Sequence, residues 1–277
     1  MKLHTKLFIT LLFFSSTVFW AQENKKLDSL QRLYADGQKD SELLGTLDEL
    51  FRLTLPKDNK KSLAYVNEHL TLSKKLKNQY HKAKSNHNYG LYLNNNGKKD
   101  SALIFLNKAK TIWEKYEDYT ETIKTNSEIA SVLYHLGNTD KALTIINENL
   151  KSHDSLNAIS SIWAKDFRIK GNIYQSFSDY PKALENFLEA ERIYALSNDR
   201  AQQALALDDI GYLEYLMGNF ENAIKYTQKA AAIYRKNDNK HLLARAYQTL
   251  GVISVKTNSR DEALEFFKKS LPIAIES

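Results

Sequence analysis

Apolar residues recur along this chain at the spacing of one face of an α-helix. In the stretch from Gly171 to Ala190, Ile173 and Phe177 share one such face, and Ala183 and Phe187 begin the next one after a short polar interruption. Segments of this kind follow one another along most of the chain, and 3 prolines and 9 glycines in 277 residues favour long helices over a turn-rich β architecture. The pattern predicts an all-α chain of amphipathic helices that tight turns connect.

Small residues return about every 40 residues, in two series that are twelve residues apart. The first series is Gly90, Ala130, Gly171, Gly211 and Gly251. The second series is Ala102, Ala142, Ala183, Ala223 and Ala263. Because glycine costs roughly 1 kcal/mol relative to alanine inside a helix, its recurrence indicates a packing reason. We expect the two helices of each unit to approach closely at these positions, with Ala183 as the counterpart of Gly171.

A third series marks the turn inside each unit. It consists of Gly97, Gly137, Ser178, Gly218 and Asn258. Glycine and asparagine are common where a helix ends in the left-handed conformation, and the acidic residues that follow suit the start of a second helix. The pattern therefore predicts that each unit contains two helices of about 17 residues, each roughly 25 Å long. Tyr174, Phe187 and Phe267 fall on the buried phase of the repeat and are predicted to be core residues.

The pattern resembles the tetratricopeptide repeat, a helix–turn–helix unit whose small residues let the paired helices pack closely. Its best match has Phe167, Gly171, Tyr174, Ala183, Phe187 and Ala190 at the family's spacing. The period of about 40 residues is longer than the family's usual 34, and no unit ends in the family's proline. The resemblance implies an α-solenoid of stacked antiparallel helix pairs, wound as a right-handed superhelix. We expect about six pairs over residues 43–277, preceded by a capping helix in residues 22–42.

Residues 1–21 have the character of an export signal. Lys2 and Lys6 form a basic start, an apolar run too short for a comfortable membrane span follows, and Ala21 precedes a plausible cleavage point. An uncleaved anchor is the alternative. We expect an exported protein in the periplasm or associated with the cell envelope, with a membrane-bound protein among its potential partners. The chain stops after the last repeat without a polar capping helix, which predicts either a fragment of something longer or a last helix that a partner covers.

Composition and motifs narrow the chemistry. The net charge is +6, but lysines alternate with acidic residues along the whole chain, which predicts a mixed surface and argues against a nucleic-acid partner. Cysteine is absent, no two of the 7 histidines have the spacing of a helical metal site, and no phosphate-binding loop or nucleophile elbow occurs. We therefore expect neither an enzyme nor a metal or small-molecule cofactor. The alternative function is the extracytoplasmic sensing region of a membrane-bound histidine kinase or helix-turn-helix regulator, separated from its output module.

By resemblance to the family, the first helix of each pair lines a concave groove. The lining stripe falls six and three residues before each small residue of the first series and one and four residues after it. Four of its five units begin with a basic residue, and asparagine, glutamine and tyrosine follow, which predicts a basic, polar groove for a peptide or protein partner. Solvated positions without a partner are the alternative. The predicted binding residues are Lys84, Lys124, Tyr134, Lys165, Arg168, Asn172, Gln175, Tyr212, Tyr215 and Arg245.

Two further expectations concern charge in this groove. Some members of the family hold a peptide's terminal carboxylate with a lysine, asparagines and an arginine, but Asp209 stands where that clamp has an asparagine and would repel a carboxylate. We therefore predict a basic groove without that clamp. Exchanging Lys165, Arg168 and Arg245 for glutamate is expected to abolish partner capture while the array stays folded.

Overall fold

The computed structural model describes residues 25–37, 40–55, 57–152 and 161–276, and every regular element among them is an α-helix. The first, α1, covers residues 25–35. The others are α2 (Asp40–Thr54), α3 (Asn59–Lys75), α4 (Gln79–Asn95), α5 (Lys99–Lys115), α6 (Tyr119–His135), α7 (Thr139–Lys151), α8 (Ser161–Ser176), α9 (Tyr180–Leu196), α10 (Arg200–Leu216), α11 (Phe220–Lys236), α12 (Lys240–Lys256) and α13 (Arg260–Glu276). Most are 17 residues long, as the repeat period predicted.

The described residues form two compact units, divided in sequence between Asn138 and Thr139. In the first unit α2 packs on α3 and α4 on α5, and in the second unit α8 packs on α9, α10 on α11 and α12 on α13. The predicted all-α architecture of stacked helix pairs is confirmed. None of the helices described here combines the length and apolar character that crossing a bilayer requires. The predicted export signal in residues 1–21 lies outside the described residues and stays a prediction.

Helix α1 covers the start of the first unit. Its Leu27, Leu30 and Tyr34 pack on a buried cluster that α2 and α3 supply. The Tyr34 hydroxyl donates a hydrogen bond of 2.6 Å to Oε2 of Glu68 on α3. This helix lies within the segment 22–42, where the sequence predicted a cap.

The recurring glycines lie where two helices nearly touch. A Cβ atom on Gly171 would stand 2.5 Å from Cδ1 of Phe187, and a Cβ atom on Gly90 would stand 2.7 Å from Cγ of Leu106. Atoms of Thr227 and Phe267 would clash in the same way with side chains at Gly211 and Gly251. At each of these glycines, the nearest side chain belongs to the residue four positions after the alanine of the second series. Phe187, and not Ala183, is therefore the counterpart of Gly171.

The turn inside each unit has the left-handed backbone that the third series predicted. The φ angle is 73° at Gly97, 60° at Ser178, 79° at Gly218 and 58° at Asn258. Asp179 then caps α9, because its carboxylate accepts the backbone N–H of Lys182. Glycine has no steric penalty at such an angle, whereas serine and asparagine adopt it at some cost.

The predicted core residues do not share one environment. Phe187 is fully buried and Tyr174 is partly buried, but 38% of Phe267 is exposed. Phe267 lies on α13, and within the described residues no further helix packs on the outer side of α13. The prediction that Phe267 is a core residue was therefore wrong, since the phase of the repeat does not reveal which helix lacks a neighbour.

Candidate functional site

The predicted binding stripe lies on the first helices of the pairs, α4, α6, α8, α10 and α12. First helices of successive pairs contact one another within each unit. In the first unit α4 contacts α6 and also α2, the first helix of the pair before it, and in the second unit α10 contacts α12. Lys84, Lys124 and Tyr134 belong to the first unit, and the other predicted residues to the second. We call the stripe side of α8, α10 and α12 the inner face of the second unit.

Ion pairs join neighbouring helices across this inner face. Nε of Arg168 on α8 lies 2.5 Å from Oδ2 of Asp209 on α10. Nη2 of Arg245 on α12 lies 2.6 Å from Oδ2 of Asp208, also on α10. Both arginines that the sequence placed in a basic groove are therefore neutralised by aspartates. Asp209, which was expected to repel a carboxylate, is instead the partner of Arg168.

Burial shapes the protonation of the Arg168–Asp209 pair. Removal from water raises the pKa of Asp209 above its ordinary value, although the neighbouring guanidinium opposes this shift. Burial alone would lower the pKa of Arg168, but the charge of Asp209 raises it overall. Two buried hydroxyls near these charges, of Tyr194 and Tyr234, also have raised pKa values because they are desolvated. The pair therefore serves mainly to hold α8 against α10, and it is less available to bind a partner.

The predicted lysines of the first unit also have acidic partners. Nζ of Lys84 lies 3.4 Å from Oδ2 of Asp48 on α2, and Nζ of Lys124 lies 2.6 Å from Oε1 of Glu121 on its own helix. Asn88 donates a hydrogen bond of 2.7 Å to the other oxygen of Asp48. Burial would raise the pKa of Asp48, but Arg52, Asn88 and Lys84 together lower it. The basic character predicted for the stripe is thus largely compensated in this unit as well.

The exposed part of the inner face is aromatic and aliphatic. Tyr212 is 48% exposed, Val252 43% and Val255 54%. The ring of Tyr212 stacks on that of Tyr215 with centroids 6.3 Å apart, and Leu216 is exposed beside them. We call these five residues the apolar inner patch. Lys165, Asn172 and Gln175 lie on α8 of the same unit and are partly buried.

The sequence predicted part of this patch. Tyr212 and Tyr215 were among the predicted binding residues, whereas the two valines stood on the same stripe without being selected, and Leu216 was missed. The signal that could have identified the missing residues was the presence of apolar side chains at positions predicted to be exposed. The binding residues were instead predicted mainly from the charged and polar positions of the stripe. Tyr134, in the first unit, is partly buried and has the ring of His135 5.2 Å away.

Removing one member of the inner ion pairs is expected to destabilise the second unit. Arg168→Ala leaves Asp209 without its countercharge in a site that is only about a quarter exposed. We expect a loss of about 2 kcal/mol, between the values typical of exposed and buried pairs. Urea unfolding followed by circular dichroism measures it.

A matched change separates the pair from ordinary surface charge. Arg192 makes a side-chain pair with Glu189 that is more exposed, within one helix, so Arg192→Ala is expected to cost less than about 0.5 kcal/mol. The double replacement Arg168→Met with Asp209→Leu is expected to recover most of the lost stability. If Arg168→Ala and Arg192→Ala lowered the free energy of unfolding equally, the Arg168 pair would not hold α8 against α10 more strongly than an ordinary surface pair.

No constellation for metal binding occurs in the described ranges, where no three histidine, aspartate or glutamate side chains are grouped to hold an ion.

Comparison with known proteins gives information on the type of repeat and on the fold. Residues 164–236 and 202–276 match the family model for the tetratricopeptide repeat. The match covers residues 164–276, which is less than half of the chain. The resemblance noted in the sequence is confirmed for this part of the chain, and the solved structures below extend the same fold over nearly all of it.

One relative is similar to this chain in sequence, and two solved structures are similar to it in fold. A response regulator aspartate phosphatase E from Bacillus subtilis (strain 168) is 30% identical over 112 residues, which is 40% of this chain and 29% of that relative. A crystal structure of a Rap protein complexed with competence and sporulation factor has a TM-score of 0.72, at 18% identity, over 97% of this chain and 76% of the other. BtubC from P. vanneervenii has a TM-score of 0.65, at 16% identity, over 80% of this chain and 91% of the other.

Proposed function

We propose that this protein binds a peptide or a segment of a partner protein on the inner face of its second unit. The observation that carries the proposal is the apolar inner patch, where Tyr212, Val252 and Val255 each remain about half exposed on adjoining helices. Exposed aromatic and aliphatic residues that are grouped and bordered by polar residues are typical of protein interaction sites. The Rap protein that was crystallised with competence and sporulation factor supports a binding role for this fold.

The two kinds of residue on this face have different roles in the proposal. Tyr212 and Tyr215 supply contact area at a low cost in side-chain entropy, because a tyrosine has few rotatable bonds. The pairs of Arg168 with Asp209 and of Arg245 with Asp208 hold α8, α10 and α12 at fixed spacing. Their remaining donors and acceptors form a polar border that favours one orientation of the partner's backbone.

This arrangement changes the test that the sequence indicated. Replacing Arg168 and Arg245 with glutamate would place two like charges beside Asp209 and Asp208. Such a variant loses stability through repulsion, so a failure to bind would not identify a contact residue. Variants of the apolar inner patch are better suited because they leave the ion pairs intact.

Truncating the patch is expected to weaken partner binding by about thirtyfold, which corresponds to roughly 2 kcal/mol for a hot-spot aromatic residue. The variant is Tyr212→Ala with Val255→Ser. Partners would be captured from cell extract on the wild-type chain and identified by mass spectrometry, and their affinities for both chains would be measured by calorimetry. Tyr119→Ala is the control, because Tyr119 is 69% exposed but lies on α6 of the first unit.

Two outcomes would contradict the proposal. Equal affinities for the wild-type chain and the patch variant would exclude the inner patch as the binding surface. The relative named as an aspartate phosphatase defines the other test. If a captured response regulator lost its aspartyl phosphate faster with the chain than without it, the role would be catalytic and not binding alone.

A further inference from the structure

A second groove lies in the first unit, among α3, α4 and α5. It has a volume of about 1070 Å³. Leu70 on α3 and Phe105 and Ile112 on α5 supply apolar, partly buried surface to its walls. Lys74, Lys75, Lys82 and Lys108 surround this surface and are exposed. We call it the outer groove.

The outer groove is distinct from the predicted binding stripe. Successive residues of an α-helix are rotated by about 100°, so Lys82, which lines the groove, points roughly 200° away from Lys84 on the stripe. The walls come from α3 and α5, which are the second helices of successive pairs. The groove therefore opens on the side of α4 that faces away from the stripe.

Three of the four lysines of the outer groove have no acidic partner among the described residues. None of its lining residues is acidic. Lys75 lies 2.9 Å from Asp40, but Lys74, Lys82 and Lys108 form no ion pair with any described residue. Nζ of Lys108 lies over the Phe105 ring, 4.5 Å from its centroid, so cationic and aromatic surfaces are presented together. This contrasts with the stripe, where Lys84, Arg168 and Arg245 each face an aspartate.

The groove continues along α5. A second hollow of about 440 Å³ shares Thr111 and Ile112 with it and adds Lys115 and Tyr116. From Phe105 to Tyr116 the wall is roughly 16 Å long at 1.5 Å per residue, which is about three turns of helix. The surface is therefore elongated, with an apolar strip and lysines along its borders.

We propose that the outer groove binds an acidic amphipathic helix from a partner protein. An amphipathic helix places its apolar face in a groove between two helices, and here that face would rest on Leu70, Phe105 and Ile112. Its carboxylates would meet Lys74, Lys82 and Lys108, which form no ion pair with a described residue. A lipid surface fits less well because the apolar strip is recessed between helices, and nucleic acid fits less well because the walls carry lysine without arginine for bidentate phosphate contacts.

The test uses a fluorescein-labelled peptide of about 14 residues, or roughly four helical turns, with leucine at every third or fourth position and glutamate elsewhere. Its fluorescence anisotropy is measured with the full chain. Lys74→Glu with Lys108→Glu is expected to weaken binding by at least about tenfold, because two attractive charges become repulsive. The control is Lys60→Glu with Lys98→Glu, an equal change of charge at exposed lysines of the same unit that do not line the groove. This control is expected to bind within about twofold of the wild type.

The remaining measurements decide between the groove and simple attraction of charge. A peptide of the same composition without the apolar stripe is expected to bind at least about tenfold more weakly. Equal loss in the two double variants, or equal affinity for the two peptides, would overturn the proposal. So would binding to phosphatidylglycerol vesicles or single-stranded DNA in preference to the peptide. Tyr212→Ala is expected to leave this binding unchanged, so the outer groove and the inner patch are tested independently.

Discussion

Gly171→Leu is expected to lower the free energy of unfolding of the second unit by about 3 kcal/mol, at the upper end of the usual cost of overpacking. A Cβ atom at this position would stand 2.5 Å from Cδ1 and 2.6 Å from Cε1 of Phe187. The Phe187 ring is fully buried, so it has no free space to move into, and α8 and α9 must separate. Urea denaturation monitored by circular dichroism measures the loss.

The chain offers a matched control for this substitution. Gly45 is also inside a helix, but it is exposed, and a Cβ atom there would meet nothing within 4 Å. Gly45→Leu is therefore expected to leave stability unchanged or raise it by up to about 1 kcal/mol, because leucine is the better helix former. Adding Phe187→Ala to Gly171→Leu should cost much less than the sum of the two single changes. An unchanged midpoint for Gly171→Leu would contradict the close packing of α8 on α9.

Acidification is expected to destabilise the first unit by about 3 kcal/mol between about pH 6.5 and pH 4. The cause is His69, which is fully buried and has Nε2 3.1 Å from Nδ1 of His81. Burial lowers the pKa of His69 to about 4, whereas the unfolded chain protonates it near its ordinary value of about 6.5. The unfolded state therefore binds more protons in this window, so stability is complete above it and falls as the pH falls.

The charged and titratable groups around His69 come from two helices, α2 and α4. Asp48 on α2 favours the protonated ring, while His81 and Lys84 on α4 and Arg52 on α2 oppose it. Burial lowers the pKa of His81 too, so both rings act in the same direction. The lowered pKa of Asp48 adds a loss of stability at still lower pH.

Urea midpoints measured from about pH 7.5 to pH 4.5 test this prediction. The double variant His69→Gln with His81→Gln removes both groups, so its stability is expected to change much less over the window. His135→Gln alters an exposed ring and is expected to keep the wild-type pH dependence. A wild-type stability that stays constant from pH 7 to pH 5 would show that the buried pair does not govern the acid response.

Much of the fold was predictable because each unit repeats the same local rules. The glycine or asparagine that ends the first helix has to adopt a left-handed backbone, which Gly97, Gly218 and Asn258 do. The recurring small residues had to face something large, although the phase alone named the alanine and not Phe187 or Leu106 four residues later. A pattern identifies the face of a helix, while the side chain that fills the opposite face depends on how far two helices slide along each other.

The candidate site was less predictable for the same reason. Arg168 and Asp209 are 41 residues apart, and both were noted in the sequence, one as an attractive group and one as a repulsive group. Their pairing depends on the distance between α8 and α10. That distance cannot be inferred from the type of either residue alone. The net charge of a surface therefore cannot be read from its stripe, since adjacent helices supply the countercharges.

The sequence by itself determined the all-α class, the period, the turns and the helix face on which a partner is expected, because these depend on residues close together in the chain. Only the tertiary structure decided that arginines of the inner face are neutralised, that Tyr212, Val252 and Val255 remain exposed there, and that lysines of α3, α4 and α5 surround a groove whose lining contains no acidic residue. These properties depend on distances between side chains of different helices. Electrostatic attraction and burial act over those distances, whatever the separation in sequence.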